Sequence, residues 1–220
     1  MVIEEAVEGM LSEREARVLG SLMEKQMTTP DYYPLTLKAL TAACNQKSSR
    51  LPVMNLSESE VAGIVNELRG RGLVTARMDG RVDRFEHHLA RKLTLSSKER
   101  AIVCVLLLRG AQTLNEIRIN TGRMATFDES AELHAVVEAL MMREVPLLVR
   151  IPRAPGQRED RYAHLLCGQP EMTVAATTPA GSASHGAESD RIAMLEQEVA
   201  ELKAELQLLW ELTGLQKEKQ

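Results

Sequence analysis

A mainly α chain with small β-wings, an α+β class, is what the sequence predicts, and three observations predict it. Helix-opening signals recur: Ser12 with Glu15, Ser57 with Glu60, Ser96 with Glu99 and Thr113 with Glu116 are the two ends of capping boxes. Residues 56–88, LSESEVAGIVNELRGRGLVTARMDGRVDRFEHH, read as one such helix delivered into a β-hairpin. The same order of elements then returns later in the chain. Three helices and a hairpin, twice over, give two tandem winged-helix domains, at 11–92 and 93–168. A flexible linker at 169–189 and a coiled-coil helix at 190–216 follow.

In the first helix Val18, Leu19, Leu22 and Met23 share one face behind the Ser12 cap. Thr28-Thr29-Pro30-Asp31 breaks it, residues 32–35 form an extended connector, and Thr36 caps a second helix with Leu37, Leu40 and Cys44 inward. The connector at 45–55 is longer than a tight helix-turn-helix turn. Pro52 holds Leu51 extended, so this loop is expected to be ordered, with Leu51, Val53 and Met54 packed on the core. Asn45 and Asn55 are expected to serve the flanking helix ends, leaving Lys47 and Arg50 presented as a basic pair. Val61, Ile64, Val65 and Leu68 are the inward face of the third helix, and Gly70 and Gly72 let it stop. Asp79-Gly80 is a hairpin signal between strands at 73–78 and 82–88.

The second unit repeats these features with shorter connectors. Leu95-Ser96 answers Leu11-Ser12, and Ile102, Val103, Leu106 and Leu107 answer the apolar face of the first helix. Leu133, Val136, Val137 and Leu140 reproduce the face of the third helix. Strands at 147–151 and 161–166 flank a tip containing Pro155-Gly156, and Arg161-Tyr162-Ala163-His164 echoes Arg84-Phe85-Glu86-His87. From 169 to 189 the composition turns to Gly, Pro, Ala, Ser and Thr with nothing periodic to bury. Beyond it Ile192, Leu195, Val199, Leu202, Leu206 and Leu209 alternate spacings of three and four, a coiled-coil seam that implies a homodimer.

Composition bounds the function. Only 3% of residues are aromatic, so the cores are aliphatic. The net charge of −4 is unevenly placed: three acids lie in residues 1–8, and nine acids against four bases follow Gly168. The body between them is mildly basic, which permits a nucleic-acid partner without demanding one. Cys44, Cys104 and Cys167 are odd in number and far apart, which fits a reducing cytoplasm. The acidic start lacks a signal-peptide pattern, and the longest apolar run, 101–108, is too short to span a bilayer. No membrane association and a cytoplasmic location are expected.

The chain also resembles the uncharacterised bacterial YceH-like family of tandem winged-helix proteins. The resemblance runs from Leu11 to Gly168 and is densest at Glu24-Lys25-Gln26, Thr28-Thr29-Pro30-Asp31, Ala43-Cys44-Asn45-Gln46-Lys47-Ser48, Pro52-Val53-Met54-Asn55 and Leu107-Leu108-Arg109-Gly110-Ala111-Gln112-Thr113. Ser49 and Leu51 depart from its pattern. The resemblance implies the fold and no activity.

No catalytic constellation emerges. His87 and His88 alternate faces of a strand, His164 and His185 lie elsewhere, and no phosphate-binding glycine loop is present. A non-enzyme without metal or cofactor is expected. Two readings remain. In the first, the protein binds double-stranded DNA with a regulatory role. Its phosphate contacts come from the wings, through Arg77, Arg81 and Arg84 in the first and Arg150, Arg153, Arg158 and Arg161 in the second. Lys47 and Arg50 add to these, and Asn66 and Arg69 are candidates to read bases. Against it stand the acidic third helices, with Glu58, Glu60 and Glu67 in one and Glu129, Glu132 and Glu138 in the other. In the second reading the acidic helices and the coiled-coil tail form a platform for another protein. Salt-dependent binding to duplex DNA separates the two.

Overall fold

The computed structural model describes residues 10–79 and 82–170 of the 220. Arg81, most of the linker and the seam residues from Ile192 to Leu209 lie outside the described residues. The described residues form a mixed α+β unit of seven α-helices and two small antiparallel sheets.

The first module runs α1 (Glu13–Thr28), β1 (Leu35–Thr36), α2 (Leu37–Cys44), α3 (Glu58–Gly70), β2 (Val74–Asp79) and β3 (Val82–His87). A one-turn helix, α4 (Leu89–Lys92), leads to the second module: α5 (Ser97–Arg109), α6 (Leu114–Thr121), α7 (Ser130–Met141), β4 (Leu148–Ile151) and β5 (Arg161–His164). All four capping boxes read from sequence are formed, at Ser12, Ser57, Ser96 and Thr113, and the Thr36 side chain accepts from the Ala39 N–H at the start of α2. Each cap satisfies donors that a helix start leaves orphaned.

β3 is the middle strand of the first sheet, with β1 on one side and β2 on the other. Asp79 pairs with Val82, so Asp79 belongs to the ladder where its sequence suggests a turn. In the second module β1 is reduced to a single bridge, Gln112 to Tyr162, at the place where Leu35 pairs with Phe85.

One hydrophobic core runs through both modules, from Leu11 to Leu166. Its centre is the crossing of α1 and α5. Every residue from Ala101 to Leu108 is buried, because α5 packs on α1 as well as on α6, α7 and β5. The longest apolar run is thus the central helix of the unit, and no helix among the described residues is long and apolar enough to cross a membrane. Gly20 permits the close approach: a Cβ there would lie 3.0 Å from the Leu108 side chain. The Cys104 thiol donates to the Gly20 carbonyl at 3.4 Å.

The duplication extends to polar contacts between distant parts of the chain. Arg71, just past α3, pairs with the capping glutamate Glu15 at 2.7 Å and donates to the Met10 carbonyl. Arg143, just past α7, pairs with the capping glutamate Glu99 at 2.7 Å and donates to the Thr94 carbonyl. In each module one arginine therefore ties the end of the third helix to the start of the first. Charge-assisted bonds of this kind, partly shielded from water, hold the three-helix arrangement in register.

Candidate functional site

The loop between α2 and α3 is ordered, but not as its sequence suggests. Arg50 is only 4% exposed. Its guanidinium donates to Glu24 at 3.1 and 2.6 Å, to the Ala43 carbonyl and to the Ser49 carbonyl. Burial pushes the Glu24 carboxyl up, but the bonds and charge of Arg50, with help from Lys25, outweigh it and hold the group below the usual carboxylate range. Arg50 is therefore not presented to a partner, and the expected basic pair with exposed Lys47 does not exist. A second buried cation, Arg17, donates to the carbonyls of Cys44 and Pro52 at 3.2 and 2.6 Å.

These two guanidiniums take the interior positions expected for apolar loop residues. Leu51 and Val53 are 66% and 57% exposed, and only Met54 packs against the core. Asn45 does serve the start of α3. It donates to the Leu56 carbonyl and accepts from the Leu56 N–H, at 2.7 and 2.8 Å, while Asn55 is exposed.

Several wing arginines also have internal partners. Arg84 donates to the Pro34 carbonyl at 3.1 Å, and Arg161, its counterpart, donates to the Ala111 carbonyl at 3.0 Å. Both fasten a hairpin to the segment before the second helix. Arg77 pairs with Glu86 across the first hairpin at 2.9 Å, Arg150 pairs with Asp160 across the second at 2.8 Å, and Arg153 donates to the Arg158 carbonyl. Asn66 and Arg69 bond each other on the exposed face of α3 at 3.3 Å.

The structure gathers cations at the second hairpin. A cleft of about 540 Å³ opens between α6, α7 and the β4–β5 hairpin. Arg118, Arg150, Arg153 and Arg158 line it, against Glu159 and Asp160. Arg118 and Arg158 make no side-chain ion pair among the described residues. Sequence reading misses Arg118, because it sits on α6, outside the hairpin on which attention falls. The two third helices stay acidic on their outer faces. Glu60 pairs with Arg14, and the Ser57 backbone and hydroxyl donors hold its carboxyl low; Glu132 pairs with Lys98.

The three thiols are not activated as nucleophiles. Burial raises the thiols of Cys44, Cys104 and Cys167, the last to about 11. His87 and His164 are each held near 4, chiefly by burial, so both are neutral at pH 7.

Residues 11–157 match the family model described as "Protein of unknown function, DUF480". A UPF0502 protein of Vibrio parahaemolyticus is 51% identical over 203 residues, 89% of this chain and 92% of that protein. A UPF0502 protein of Vibrio atlanticus is 45% identical over 204 residues, covering 90% of this chain and 94% of its own length. A UPF0502 protein of Geobacter sulfurreducens is 47% identical over 200 residues, covering 89% and 91%.

Proposed function

The chain belongs to the DUF480 family, and from that premise we propose that it is a non-enzymatic tandem winged-helix protein of the cytoplasm with a DNA-associated regulatory role. The order of helix, short strand, two helices and hairpin supports the winged-helix reading in the first module, and the Gln112–Tyr162 bridge supports it in the second. In this fold the third helix approaches the major groove and the hairpin lies beside the backbone.

The observation that carries the proposal is the arginine-lined cleft of the second module. Phosphates carry one charge per about 1.7 Å of duplex, so Arg118 on α6 and Arg158 on the hairpin, neither in an ion pair among the described residues, meet a dense row of opposite charge there. Arg118 and Arg158 are the primary phosphate contacts, with Arg153 beside them. Arg84 and Arg161 hold the hairpins in place, and Arg50 holds a loop. Fluorescence anisotropy on a labelled duplex between about 50 and 200 mM salt tests this. Substituting Arg118 and Arg158 with Ser should weaken binding across sequences and flatten the salt slope by up to about two units. If the intact protein shows no salt-dependent retention of duplex DNA, the DNA role is wrong.

One observation favours the alternative, a protein-interaction platform. The outer face of α7 presents Ala131, Ala135 and Ala139 beside Glu138, and Met142 is 81% exposed at its end. An open methionine at a helix end suits a protein surface better than a groove of phosphates. In either reading the seam residues Ile192, Leu195, Val199, Leu202, Leu206 and Leu209 pair two chains. Ultracentrifugation of a Val199→Asp, Leu202→Asp variant should then report monomer.

A further inference from the structure

The C-terminal ends of α1 and α5, the loop after α2 and the end of α6 enclose a second cavity, of about 550 Å³. It lies away from both hairpins, between the two modules. Its charged lining is one-sided: Lys25, Lys47, Arg109 and Arg123 face a single acid, Glu24, which the buried Arg50 and Lys25 already neutralise. Lys47, Arg109 and Arg123 make no ion pair among the described residues. Lys25 and Arg109 occupy matching places in the last turns of α1 and α5, where the helix dipole favours a cation. That accounts for two of the four, and not for Lys47 or Arg123.

The loop that delivers Lys47 is held rigidly. The Leu51 N–H donates to the Leu108 carbonyl at 2.9 Å, and Arg50 bonds the carbonyls of Ala43 and Ser49. Ser49 itself sits at φ 62°, a left-handed conformation that a non-glycine residue keeps only when its surroundings fix it. Ser48 and Ser49 add hydroxyl groups to the lining. The lining also includes apolar Val105, Leu108, Met124 and Ile119, and Ile119 is 67% exposed.

We infer that this cavity is a nucleotide site, with phosphates on Lys47, Arg109 and Arg123 and the base against Ile119 and Met124. A simple inorganic anion has no use for the apolar lining, and an apolar ligand has none for three unpaired cations. The volume lies within the range of small-ligand sites, and a pre-fixed loop lowers the ordering cost of binding. An anion would favour the charged form of Arg109. Burial and then the charge of Arg50 already press its guanidinium below its ordinary value, and the Glu24 carboxylate only partly offsets them. The site is separate from the arginines of the second hairpin, so it stands or falls apart from the DNA reading.

Isothermal titration of the full chain with ATP, GTP, CTP and UTP, and separately with inorganic pyrophosphate, tests the inference. At least one nucleotide should bind one per chain with a dissociation constant below about 1 mM, and pyrophosphate more weakly. Lys47→Ser with Arg123→Ser, both exposed and unpaired, should leave the melting temperature unchanged and weaken the nucleotide about tenfold or more. Ile119→Ser should weaken the nucleotide and spare pyrophosphate, whereas Arg118→Ser with Arg158→Ser should change neither. The absence of any nucleotide binding up to about 1 mM overturns the site. So does binding that ignores the Lys47 and Arg123 changes, or pyrophosphate binding as tightly as every nucleotide.

Discussion

In the first module a buried arginine, Arg50, closes on Glu24; at the matching place on α5 the second module carries Leu108 and no charge. Arg17, fully buried on α1, likewise answers to Ala101 on α5. Elsewhere the modules agree closely, sharing the Glu15–Arg71 and Glu99–Arg143 pairs and the hairpin arginines Arg84 and Arg161. The contrast separates two kinds of polar contact. Those that recur belong to the skeleton of the fold. The Arg17 and Arg50 contacts occur only where the long loop must be fixed, and a buried ion pair is a poor way to gain stability alone, since removing two charges from water offsets most of their attraction.

The sharpest way to break the comparison is to copy the second module into the first. Glu24→Leu alone should leave Arg50 buried without its carboxylate and cost about 3–5 kcal/mol. Glu24→Leu with Arg50→Met should recover most of that loss in urea denaturation, because an apolar pair replaces an ionic one. If the double variant stays as unstable as the single, the pair is part of the skeleton after all.

This contrast also marks what a sequence discloses. Caps, apolar faces, the hairpins and the duplication are local or periodic signals, and Ser12, Val18, Leu68 and Tyr162 all sit as their spacing implies. Arg50 is different, because a buried arginine and an exposed one look alike until a partner is known. Its partner, Glu24, stands on another helix, and apolar Leu51 and Val53 were the natural choices to fill the interior. Arg71 and Arg143 were within reach. The alignment that matches Leu68 with Leu140 also matches these two arginines, and a charge repeated at a helix end is a signal of a shared tertiary contact. Arg118 and Arg123 carry no such mark, because what singles them out is the absence of an ion-pair partner.

Next in size is a property that both modules share. His87 and His164 hold matching places on β3 and β5, each with a buried Nδ1 lacking a partner, and each is held near 4 by burial. The unfolded chain takes up these protons near pH 6.5 and the folded chain does not. Stability is therefore fully present above about pH 6.5, falls as pH drops toward 4, and levels below it; His87 alone contributes roughly 3 kcal/mol to that loss. Replacing either histidine with Gln should reduce the acid slope of the unfolding free energy by a comparable amount. A slope carried by one histidine alone would mean that the modules differ in burial where they match in sequence.

A smaller effect sharpens the comparison at its most symmetric point. Arg71→Ala and Arg143→Ala each remove a partly shielded pair to a capping glutamate, at side-chain exposures of 19% and 27% for the arginines. Each should cost about 1–2 kcal/mol, measured by thermal unfolding. Losses equal within about 0.5 kcal/mol support one skeleton used twice. A large inequality would place the stability of the unit in one module.

The smallest stability effect gives the cleanest functional comparison, because each hairpin carries an exposed ion pair between its strands. Arg77 with Glu86 and Arg150 with Asp160 are open to solvent, the arginine side chains being 68% and 60% exposed. Exposed pairs contribute about 0–1 kcal/mol, so Arg77→Ala and Arg150→Ala should each leave the melting temperature within a few degrees of the parent. Binding can then be compared without a folding difference. Arg150 lines the cleft where Arg118, Arg153 and Arg158 gather, whereas Arg77 lies on a hairpin whose Arg84 is bonded to the Pro34 carbonyl. Arg150→Ala should therefore lower duplex retention and flatten the salt slope by about one unit, and Arg77→Ala should leave both nearly unchanged. Equal losses would make the hairpins equivalent in function as well as in build. No loss from either, in a protein that still holds DNA, would leave the contact to Arg118, Arg153 and Arg158 alone.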